Sequence, residues 1–352
     1  MEARTGRVAV IGSLNMDLVV RSPRLPQPGE TLAGTAFDQV PGGKGANQAV
    51  AAARLGAQVG MLGRLGQDAN GAQLLQAMQD EGIDCSRIGR DATHPTGVAL
   101  IVVDDASQNT IVIIAGSNGA LDTAAVDANV ELIAQADVVV CQMEVPEATV
   151  LAALRHAHAL GRTVVLNPAP VTGPLPAGWL EHVDFLVPNE VEAAALSGVA
   201  VDSPDSARRA ALALQRQGAR HVLITLGSQG VFLLPPAAED ADEGTDAGAD
   251  GGTDKSADES TTGCPAATPD DARGTHYPAR RVAAIDTTAA GDTFIGGFAA
   301  ALAAGRSVDE AVRFGQAASA LSVTRAGAQP SIPHLCEVVS DIQLDLPQAP
   351  AR

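Results

Sequence analysis

The chain has 352 residues, a formal net charge of -18 at pH 7 and a hydrophobic content of 46%. This length and apolar content are compatible with one large α/β domain or two smaller ones, and they exclude a wholly disordered chain. The acidic balance disfavours a nucleic-acid partner, and no apolar run approaches the ~18 to 20 residues that a membrane-spanning helix needs.

Short β-branched runs alternate with alanine-rich stretches along the chain. The predicted strands are 8–11, 97–103, 110–114, 138–143, 163–166, 185–187, 221–225 and 231–234. The predicted helices are 46–55, 71–81, 146–160, 190–196, 204–217, 292–303 and 308–324. Strands that alternate with helices predict βαβ units around a mostly parallel sheet.

Three regions depart from this alternation. Residues 14–40 and 97–114 contain strand-like runs without a long helix between them, which predicts an antiparallel flap beside the main sheet. Residues 237–273 contain eleven acidic and two basic residues, a net charge of -9. Their composition predicts disorder, in a long hairpin tip between strand-like runs at 231–234 and 280–285.

The cysteines and the first residues bear on location. Cys85, Cys141, Cys264 and Cys336 have neither paired nor metal-type spacing, which disfavours a disulfide framework and a zinc site and predicts a reducing cytoplasm. The first residues run directly into a strand-like stretch and lack the apolar core of a signal peptide.

The first candidate site follows the first predicted strand, in Gly12-Ser13-Leu14-Asn15-Met16-Asp17. Ligands of open α/β sheets bind beyond the carboxyl ends of the strands. Asn15 and Asp17 alternate, so both can face one side, where an amide and a carboxylate suit sugar hydroxyls. An Asx turn is the alternative interpretation.

The second candidate is the glycine-rich segment Gly42-Gly43-Lys44-Gly45-Ala46-Asn47, which precedes a predicted helix. Small residues allow the backbone to approach a ligand closely, although a plain flexible loop would have the same composition. No Walker A frame fits Lys44, and no G-x-G-x-x-G motif follows the first strand, so neither standard nucleotide fingerprint is present.

Polar groups also follow later strands. They are Gln142-Met143-Glu144, Asn167 and the segment from Asn189 to Glu192, all expected at the same edge of the sheet. Each alone is typical of a helix cap, but carboxylates clustered near a phosphate-binding loop indicate magnesium held partly through water. A further glycine-rich turn from Thr225 to Gly230 is compatible with nucleotide contact or with a plain hairpin.

The strongest local signal runs from Asp286 to Phe294. A strand is predicted to end at Ile285, small residues form a tight turn, and a helix begins near Asp292. Backbone N–H groups at a helix N-terminus favour an anion, and an acid there can accept the proton of an attacking hydroxyl. A capping aspartate on an ordinary turn is the alternative.

Together these motifs resemble the PfkB-type carbohydrate kinase family, and its ribokinase branch in particular. The resemblance spans about residues 5 to 335 except the acidic segment, with both family signatures in the correct order. It implies a ribokinase-like three-layer α/β fold with a central, mostly parallel sheet and a small β-sheet lid from 14–40 and 97–114. It also implies a single domain over 5–340, interrupted by the acidic insertion and followed by a tail over 341–352.

The resemblance further implies ATP-dependent phosphorylation of ribose at its 5-hydroxyl, with Mg²⁺ and K⁺, by a homodimer joined through the lid. Asp292 matches the catalytic base, and Ala289, Ala290 and Gly291 match an anion hole. Matches to sugar contacts are Ser13, Leu14, Asn15, Asp17, Gly42, Gly43, Lys44, Gly45, Ala46, Asn47, Glu144 and Asp292.

The remaining matches concern the nucleotide and the ions. Matches to ATP contacts are Asn189, Thr225, Leu226, Gly227, Ser228, Gln229, Gly230, Gly291, Asp292 and Gln316. A monovalent-cation site, formed largely by backbone carbonyls, is matched by Asp286, Thr288, Ser322, Arg325, Gly327 and Ser331, and Glu192 matches a water-mediated magnesium contact. Two alternatives stay open: a kinase for a nucleoside or another sugar, and a non-catalytic sugar sensor.

Overall fold

The computed structural model describes residues 5–106, 108–171, 173–237 and 274–344. The predicted acidic insertion, apart from Ala237, lies outside these residues, and so does the end of the predicted tail. Within the described ranges, no helix is long and apolar enough to cross a membrane.

Thirteen strands are present in the described residues. They are β1 (Arg7–Ile11), β2 (Asn15–Ser22), β3 (Ala36–Gly42), β4 (Gln58–Gly66), β5 (Asp84–Asp91), β6 (Gly97–Asp104), β7 (Asn109–Ile114), β8 (Val138–Gln142), β9 (Thr163–Asn167), β10 (Phe185–Leu186), β11 (His221–Thr225), β12 (Val231–Leu234) and β13 (Thr275–Tyr277). Nine form the main sheet in the order β13-β12-β11-β10-β9-β8-β1-β4-β5. All neighbours from β11 to β5 are parallel, and only β12 and β13 are antiparallel, which confirms the mostly parallel sheet.

The described helices are α1 (Lys44–Arg54), α2 (Ala69–Asp80), α3 (Thr123–Ala128), α4 (Val130–Gln135), α5 (Glu147–Ala159), α6 (Glu190–Ser197), α7 (Pro204–Arg216), α8 (Ala290–Ala303), α9 (Val308–Ser322) and α10 (Leu335–Leu344). Helices α6, α7 and α9 begin with capping boxes, which satisfy backbone donors at their first turns. The last helix continues through Leu344, past the predicted start of the tail at 341.

Helices cover both faces of the main sheet. In β1, Val8 and Val10 join the core formed with α1, α2, α8 and α9, whereas Ala9 and Ile11 join the core formed with α3 to α7. Successive side chains of a strand point to opposite faces, so a strand buried on both faces is an uninterrupted apolar run. This is why β1, β8 and β9 were predictable, and it establishes the three-layer α/β architecture.

One predicted strand is wrong. Residues 280–285 form no strand. β12 pairs instead with β13, a short strand that lies just before residue 280 in the sequence. Pro278 follows Tyr277 and has no N–H for a sheet hydrogen bond, so the pairing stops there. The next residues cross to the end of α9, where Ile285 N donates to Val323 O at 2.7 Å.

The flap is a second, four-stranded sheet in the order β3-β2-β6-β7. Its outer pairs are antiparallel as predicted, but the central pair β2 and β6 is parallel, with Asn15 opposite Gly97. Because only three residues separate β1 from β2, this sheet extends from the carboxyl edge of the main sheet. It therefore stands over the edge where ligands of such folds bind.

Candidate active site

The chain turns sharply at the start of α8. Ala289 has a φ of 57°, the only positive φ of a non-glycine residue among those described. The turn is held because both the amide and the hydroxyl of Thr293 donate to Ala289 O, at 2.8 and 2.9 Å. Helix α8 consequently begins at Ala290, two residues earlier than predicted.

This turn presents backbone donors. Ala290 N donates weakly to Thr287 O at 3.2 Å, whereas the N–H groups of Gly291 and Asp292 have no acceptor in the described part of the chain. Free N–H groups at a helix N-terminus attract anions because their partial charges add to the helix dipole. The donors available to an anion thus include Asp292 N, one residue beyond the predicted set.

Asp292 is buried, with 8% of its surface exposed, and two side-chain amides hold its carboxylate. Asn47 Nδ2 donates to Oδ2 at 3.0 Å, and Gln48 Nε2 donates to Oδ1 at 2.9 Å. Both donors come from the first turn of α1, far from Asp292 in sequence. The two signature segments therefore meet at one carboxylate.

Glycines allow the loop before α1 to lie against the end of β1. Gly43 has a φ of 89°, and a Cβ there would lie 2.7 Å from Asn15 N. A Cβ on Gly45 would lie 2.6 Å from Ser13 N. The close approach allows Ala46 N to donate to Ser13 O at 2.9 Å.

Glu144 ties this loop to β8. Its Oε2 accepts from Ser13 Oγ at 2.5 Å and from Lys44 N at 3.1 Å. The sequence placed all three residues in the sugar-contact set, and the structure brings them together. Ser13 is fully buried by these contacts.

Asn118, which the sequence analysis did not single out, braces the start of β2. Its Oδ1 accepts from Leu14 N at 3.0 Å, and its Nδ2 donates to Leu14 O and Asn15 Oδ1 at 3.0 and 2.8 Å. The side chain of Leu14 is buried in the core and both its backbone polar groups are paired. Leu14 therefore offers a ligand no unpaired polar group.

Asp17 lies on β2 beside Gly42, where a Cβ would come within 2.3 Å of its Oδ2. Burial, together with the negative charges of Glu144 and Asp292, raises the pKa of Asp17 to about 7. Around neutral pH this carboxyl group therefore exchanges its proton. The three carboxyl groups mark the sugar-side half of the candidate site.

Lys44 lies between the acidic residues. Burial by itself lowers the pKa of Lys44, but the carboxylates of Asp292, Glu144 and Glu192 outweigh burial and keep its pKa above the ordinary value. The ammonium group therefore stays charged, and it offsets part of the negative charge that surrounds it.

A cavity of about 180 Å³ opens beside Asp292. Its lining consists of Lys44, Asn167, Ala169, Val187, Asn189, Glu192, Thr225, Thr287, Ala289, Ala290, Gly291, Asp292 and Ile295. Most of these residues follow the carboxyl ends of parallel strands or begin a helix. The predicted phosphate-binding turn and the predicted residues Asn189, Glu192 and Thr225 thus line one cavity, which Asp292 lines as well while it accepts from Asn47.

The rest of the turn after β11 extends away from this cavity. Leu226 is buried in the core, and Gln229 Nε2 donates to Asp202 O at 2.9 Å. Gln316, on α9, donates to Tyr277 O at 2.9 Å and is not among the residues that line the cavity. Gly227, Ser228 and Gly230 complete the turn as a short 3₁₀ segment and its end.

Glu192 caps α6 together with Asn189. Its Oε2 accepts from Asn189 N at 2.9 Å, and its Oε1 accepts from Asn189 Nδ2 at 3.0 Å. Burial raises the pKa of Glu192, against the lowering effects of the Asn189 hydrogen bond and of Lys44. Among the described residues, no three His, Cys, Asp or Glu side chains form a group that could hold a metal ion by themselves.

Asp286 joins its own loop, before α8, to the loop that follows α9. Its Oδ1 accepts from Thr288 N and Thr288 Oγ1 at 2.9 and 2.6 Å, and its Oδ2 accepts from Gly327 N at 2.8 Å. These hydrogen bonds lower the pKa of Asp286 although burial alone would raise it. Arg325 N donates to Ser322 O at 3.0 Å, and the Arg325 guanidinium pairs with Glu337.

Ser331 completes the predicted cation set. It is fully buried, and its Oγ donates to Ala328 O at 2.7 Å. All six predicted residues therefore lie in two neighbouring segments, the loop before α8 and the stretch from the end of α9 to Ser331, which the hydrogen bonds of Asp286 and Val323 connect. Because the Arg325 side chain is paired elsewhere, only its backbone remains for a ligand.

Comparison with known proteins agrees with this geometry. The family model of the pfkB family carbohydrate kinases matches residues 5–241 and 259–335. A ribokinase of Haemophilus influenzae is 41% identical over 326 residues, which cover 93% of this chain and 95% of that one. A ribokinase of Schizosaccharomyces pombe is 37% identical and covers 96% of this chain and 98% of its own length.

Solved structures give the same picture. The fold is similar to a ribokinase of Arabidopsis thaliana complexed with ribose and ATP, with a TM-score of 0.82, 29% identity and coverage of 97% of this chain and 99% of that one. It is also similar to a ribokinase of Thermotoga maritima, with a TM-score of 0.78, 32% identity and coverage of 96% and 99%.

Proposed function

The chain belongs to the pfkB family of carbohydrate kinases, and on this premise we propose that it transfers the γ-phosphoryl group of ATP to the 5-hydroxyl of D-ribose. It is an enzyme of the ribokinase type, since its full-length relatives include several ribokinases. One observation carries the proposal: Asp292 lines the cavity formed with the turn before α8 and also accepts from Asn47 of the predicted sugar set, so one carboxylate adjoins both halves of the candidate site.

The reaction needs a base and charge stabilisation more than covalent chemistry. The ribose 5-oxygen bonds to the γ-phosphorus, and its proton passes to the Asp292 carboxylate. The bond from the γ-phosphorus to the bridging oxygen breaks, and its electron pair leaves on ADP. The free N–H groups of Gly291 and Asp292, with Ala289 and Ala290 beside them, stabilise the charge of the transferring group.

The sugar lies over the first turn of α1 in this proposal. Asn47 Oδ1 is buried and has no hydrogen-bond partner among the described residues, so it suits a sugar hydroxyl donor. Asp17 and Asn15 on β2 supply further acceptors, and Gly43 allows the ring to approach the backbone. Glu144 contributes its second oxygen, because Oε2 already accepts twice.

The residues present also fit the two ions. Both oxygens of Glu192 accept from Asn189, so Glu192 would hold Mg²⁺ only through water, while the ATP phosphates provide the direct ligands. Bound Mg²⁺ supplies charge neutralisation on the phosphates. A single carboxylate among loop carbonyls suits a monovalent cation such as K⁺, held by Asp286, Thr288, Ser322, Arg325, Gly327 and Ser331.

We also propose a homodimer through the lid. By the strand register, Phe37, Leu100, Val112 and Ile114 share the lid face opposite to Asp17, and all four are exposed. Such an apolar strip is typical of an interaction surface. Sedimentation of wild-type protein and of a Leu100→Glu, Val112→Glu variant tests it, since a dimer of the wild type should become a monomer in the variant.

We propose a cytoplasmic location because the described cysteines are free thiols, as is usual in a reducing compartment. Cys85, Cys141 and Cys336 are free in the structure. Burial raises the pKa of Cys141 to about 12 and that of Cys85 to about 11, so neither thiol is reactive near neutral pH.

A coupled assay of ADP formation tests the proposed activity. Ribose, deoxyribose, fructose and adenosine are each offered with MgATP, with and without potassium. We expect ribose to give the highest kcat/KM and potassium to increase it. Preference for adenosine or fructose would favour the alternative family activities, and ribose binding without ADP formation would favour a sugar sensor.

The acidic insertion is expected to be dispensable for turnover. β12 and β13 are antiparallel, with Leu233 opposite Thr275, so the two strands that flank the insertion lie side by side. Deleting residues 238–272 leaves a short hairpin connection between these strands, a length that hairpins commonly use. We expect kcat and KM for ribose to match the full chain, and a large loss of activity in a folded deletion variant would contradict this prediction.

A further inference from the structure

We propose that Gln48 is a positioning residue for phosphoryl transfer, and that a buried chain of amides from Asn167 and Gln142 through Gln48 sets the orientation of the Asp292 carboxylate. The inference rests on the proposed function, because it assigns a role relative to the proposed base. Gln48 itself is not among the residues that line the cavity, and it contacts the site only through Asp292 and Asn167.

Gln48 uses both N–H groups and its carbonyl oxygen in this hydrogen-bonded chain of side chains. Its Nε2 donates to Asp292 Oδ1 at 2.9 Å and to Asn167 Oδ1 at 3.2 Å, and its Oε1 accepts from Gln142 Nε2 at 2.6 Å. Its side chain is 1% exposed, so water cannot replace these partners. A buried polar group that is fully bonded keeps one orientation.

A backbone carbonyl fixes which way the side-chain amides of this hydrogen-bonded chain face. Asn167 Nδ2 donates to Val187 O at 3.0 Å, which leaves its Oδ1 facing Gln48. Because Asn167 Oδ1 can only accept a hydrogen bond, the amide nitrogen of Gln48 must face both Asn167 and Asp292. If the Gln48 amide were turned over, its oxygen would instead lie against Asn167 Oδ1 and Asp292 Oδ1.

Gln142 supports the same orientation from the end of β8. Its Nε2 faces Gln48 Oε1, and its own Oε1 has no partner among the described residues and lies close to Gly12. A Cβ on residue 12 would come within 2.0 Å of Gln142 Oε1. Gly12 therefore provides the space that Gln142 needs in order to reach Gln48.

The hydrogen bonds from Asn47 and Gln48 together fix the orientation of the Asp292 carboxylate. Asn47 holds Oδ2 and Gln48 holds Oδ1, so the carboxylate plane cannot turn about its last side-chain bond. Asn47 lies on the proposed sugar side, where the arrival of a hydroxyl can change its contacts. Gln48 bonds only to Asp292, Asn167 and Gln142, none of which is in the predicted sugar set apart from Asp292 itself.

The variant Gln48→Met tests this role because methionine fills a similar volume and donates no hydrogen bond. We expect kcat to fall on the order of 10²-fold, as a misplaced reacting group commonly costs, while calorimetric binding of ribose changes little. We also expect the acidic limb of the kcat/KM profile to move to higher pH, because the carboxylate loses one hydrogen bond.

Two controls separate positioning from general destabilisation. Thr149→Val removes another buried hydrogen bond, from Thr149 Oγ1 to Leu121 O at 2.6 Å on α5, and should leave kcat and the pH profile unchanged. Gln142→Met should lower kcat on its own but add little to Gln48→Met, because both residues act through one chain.

The outcomes are distinct. No turnover of any sugar by the wild type would count against the proposed function. Wild-type turnover of ribose with equal kcat and an unchanged pH profile in Gln48→Met would overturn the positioning role alone. A loss in Gln48→Met that appears only as a higher KM for ribose would also overturn it, because a positioning residue acts on kcat.

Discussion

Asp292→Asn is expected to lower kcat by about three orders of magnitude, within the range that a general base contributes, while ribose and ATP still bind. An amide cannot accept the proton of the 5-hydroxyl at neutral pH. The positions of the N–H groups before α8 do not depend on the charge of this side chain, since Thr293 and Ala289 hold the turn.

The substituted site can accommodate the amide. Asparagine at position 292 has one acceptor in place of two, so one of the two neighbouring amides must meet an N–H₂ group. Asn47 can rotate its amide, because its Oδ1 has no partner among the described residues, whereas Gln48 is fixed on both sides. We therefore expect the oxygen of the new amide to face Gln48 and its nitrogen to face Asn47.

Single-turnover measurement of ADP formation, with calorimetry of ribose binding, checks this prediction. Asp127→Asn is the matched control, since it alters an exposed pair with His156 at 2.7 Å, on the α3 side of the molecule. If Asp292→Asn retained a tenth or more of the wild-type kcat, another group would have to be the base.

The sequence predicted the parts of the fold that have a local signature. The buried strands β8 and β9 are continuous β-branched runs, and α6 and α7 begin with recognisable caps. Strand β4 was not predicted, because Gly60 and Gly63 give the segment the composition of a loop. In the structure these glycines make room for Leu132 and Leu14, whose Cδ1 atoms lie 2.5 Å from where a Cβ would stand.

The residues of the candidate site also differ in whether the sequence could predict them. Asp292, Gly43 and Asn47 belong to short motifs whose chemistry can be recognised from neighbouring residues. Gln48 and Asn118 carry no such signal, because each acts on a residue more than a hundred positions away in the chain. Their roles depend on how α1 and the loop before α3 pack, which the pattern of single residues does not encode.

Asp17 should make stability and ribose affinity depend on pH near neutrality. Burial, followed by the charges of Glu144 and Asp292, raises its pKa from 3.8 to about 7. An acid with a raised pKa in the folded state destabilises the fold as pH rises, because the unfolded chain ionises first. The loss begins near the unfolded pKa and is complete just above pH 7, for a total on the order of 4 kcal/mol.

Other groups titrate in the same interval. Burial lowers the pKa of His182 and His221, so their contribution to stability rises with pH, and Glu192 acts in the same direction as Asp17. Comparing the unfolding free energy of the wild type with that of Asp17→Asn isolates the contribution of Asp17. Between pH 5 and pH 8 the wild type should lose about 3 kcal/mol of unfolding free energy relative to the variant, in denaturant titrations without ligand.

Ribose should reverse part of this loss. Sugar hydroxyls that donate to Asp17 favour its ionised form, so ribose binding releases a proton and the apparent affinity rises as pH passes through about 7. Calorimetry in two buffers of different ionisation enthalpy measures that proton directly. Proton uptake on binding, or an unchanged pH dependence in Asp17→Asn, would contradict the prediction, because the carboxylate would then not be the acceptor that the sugar hydroxyls meet.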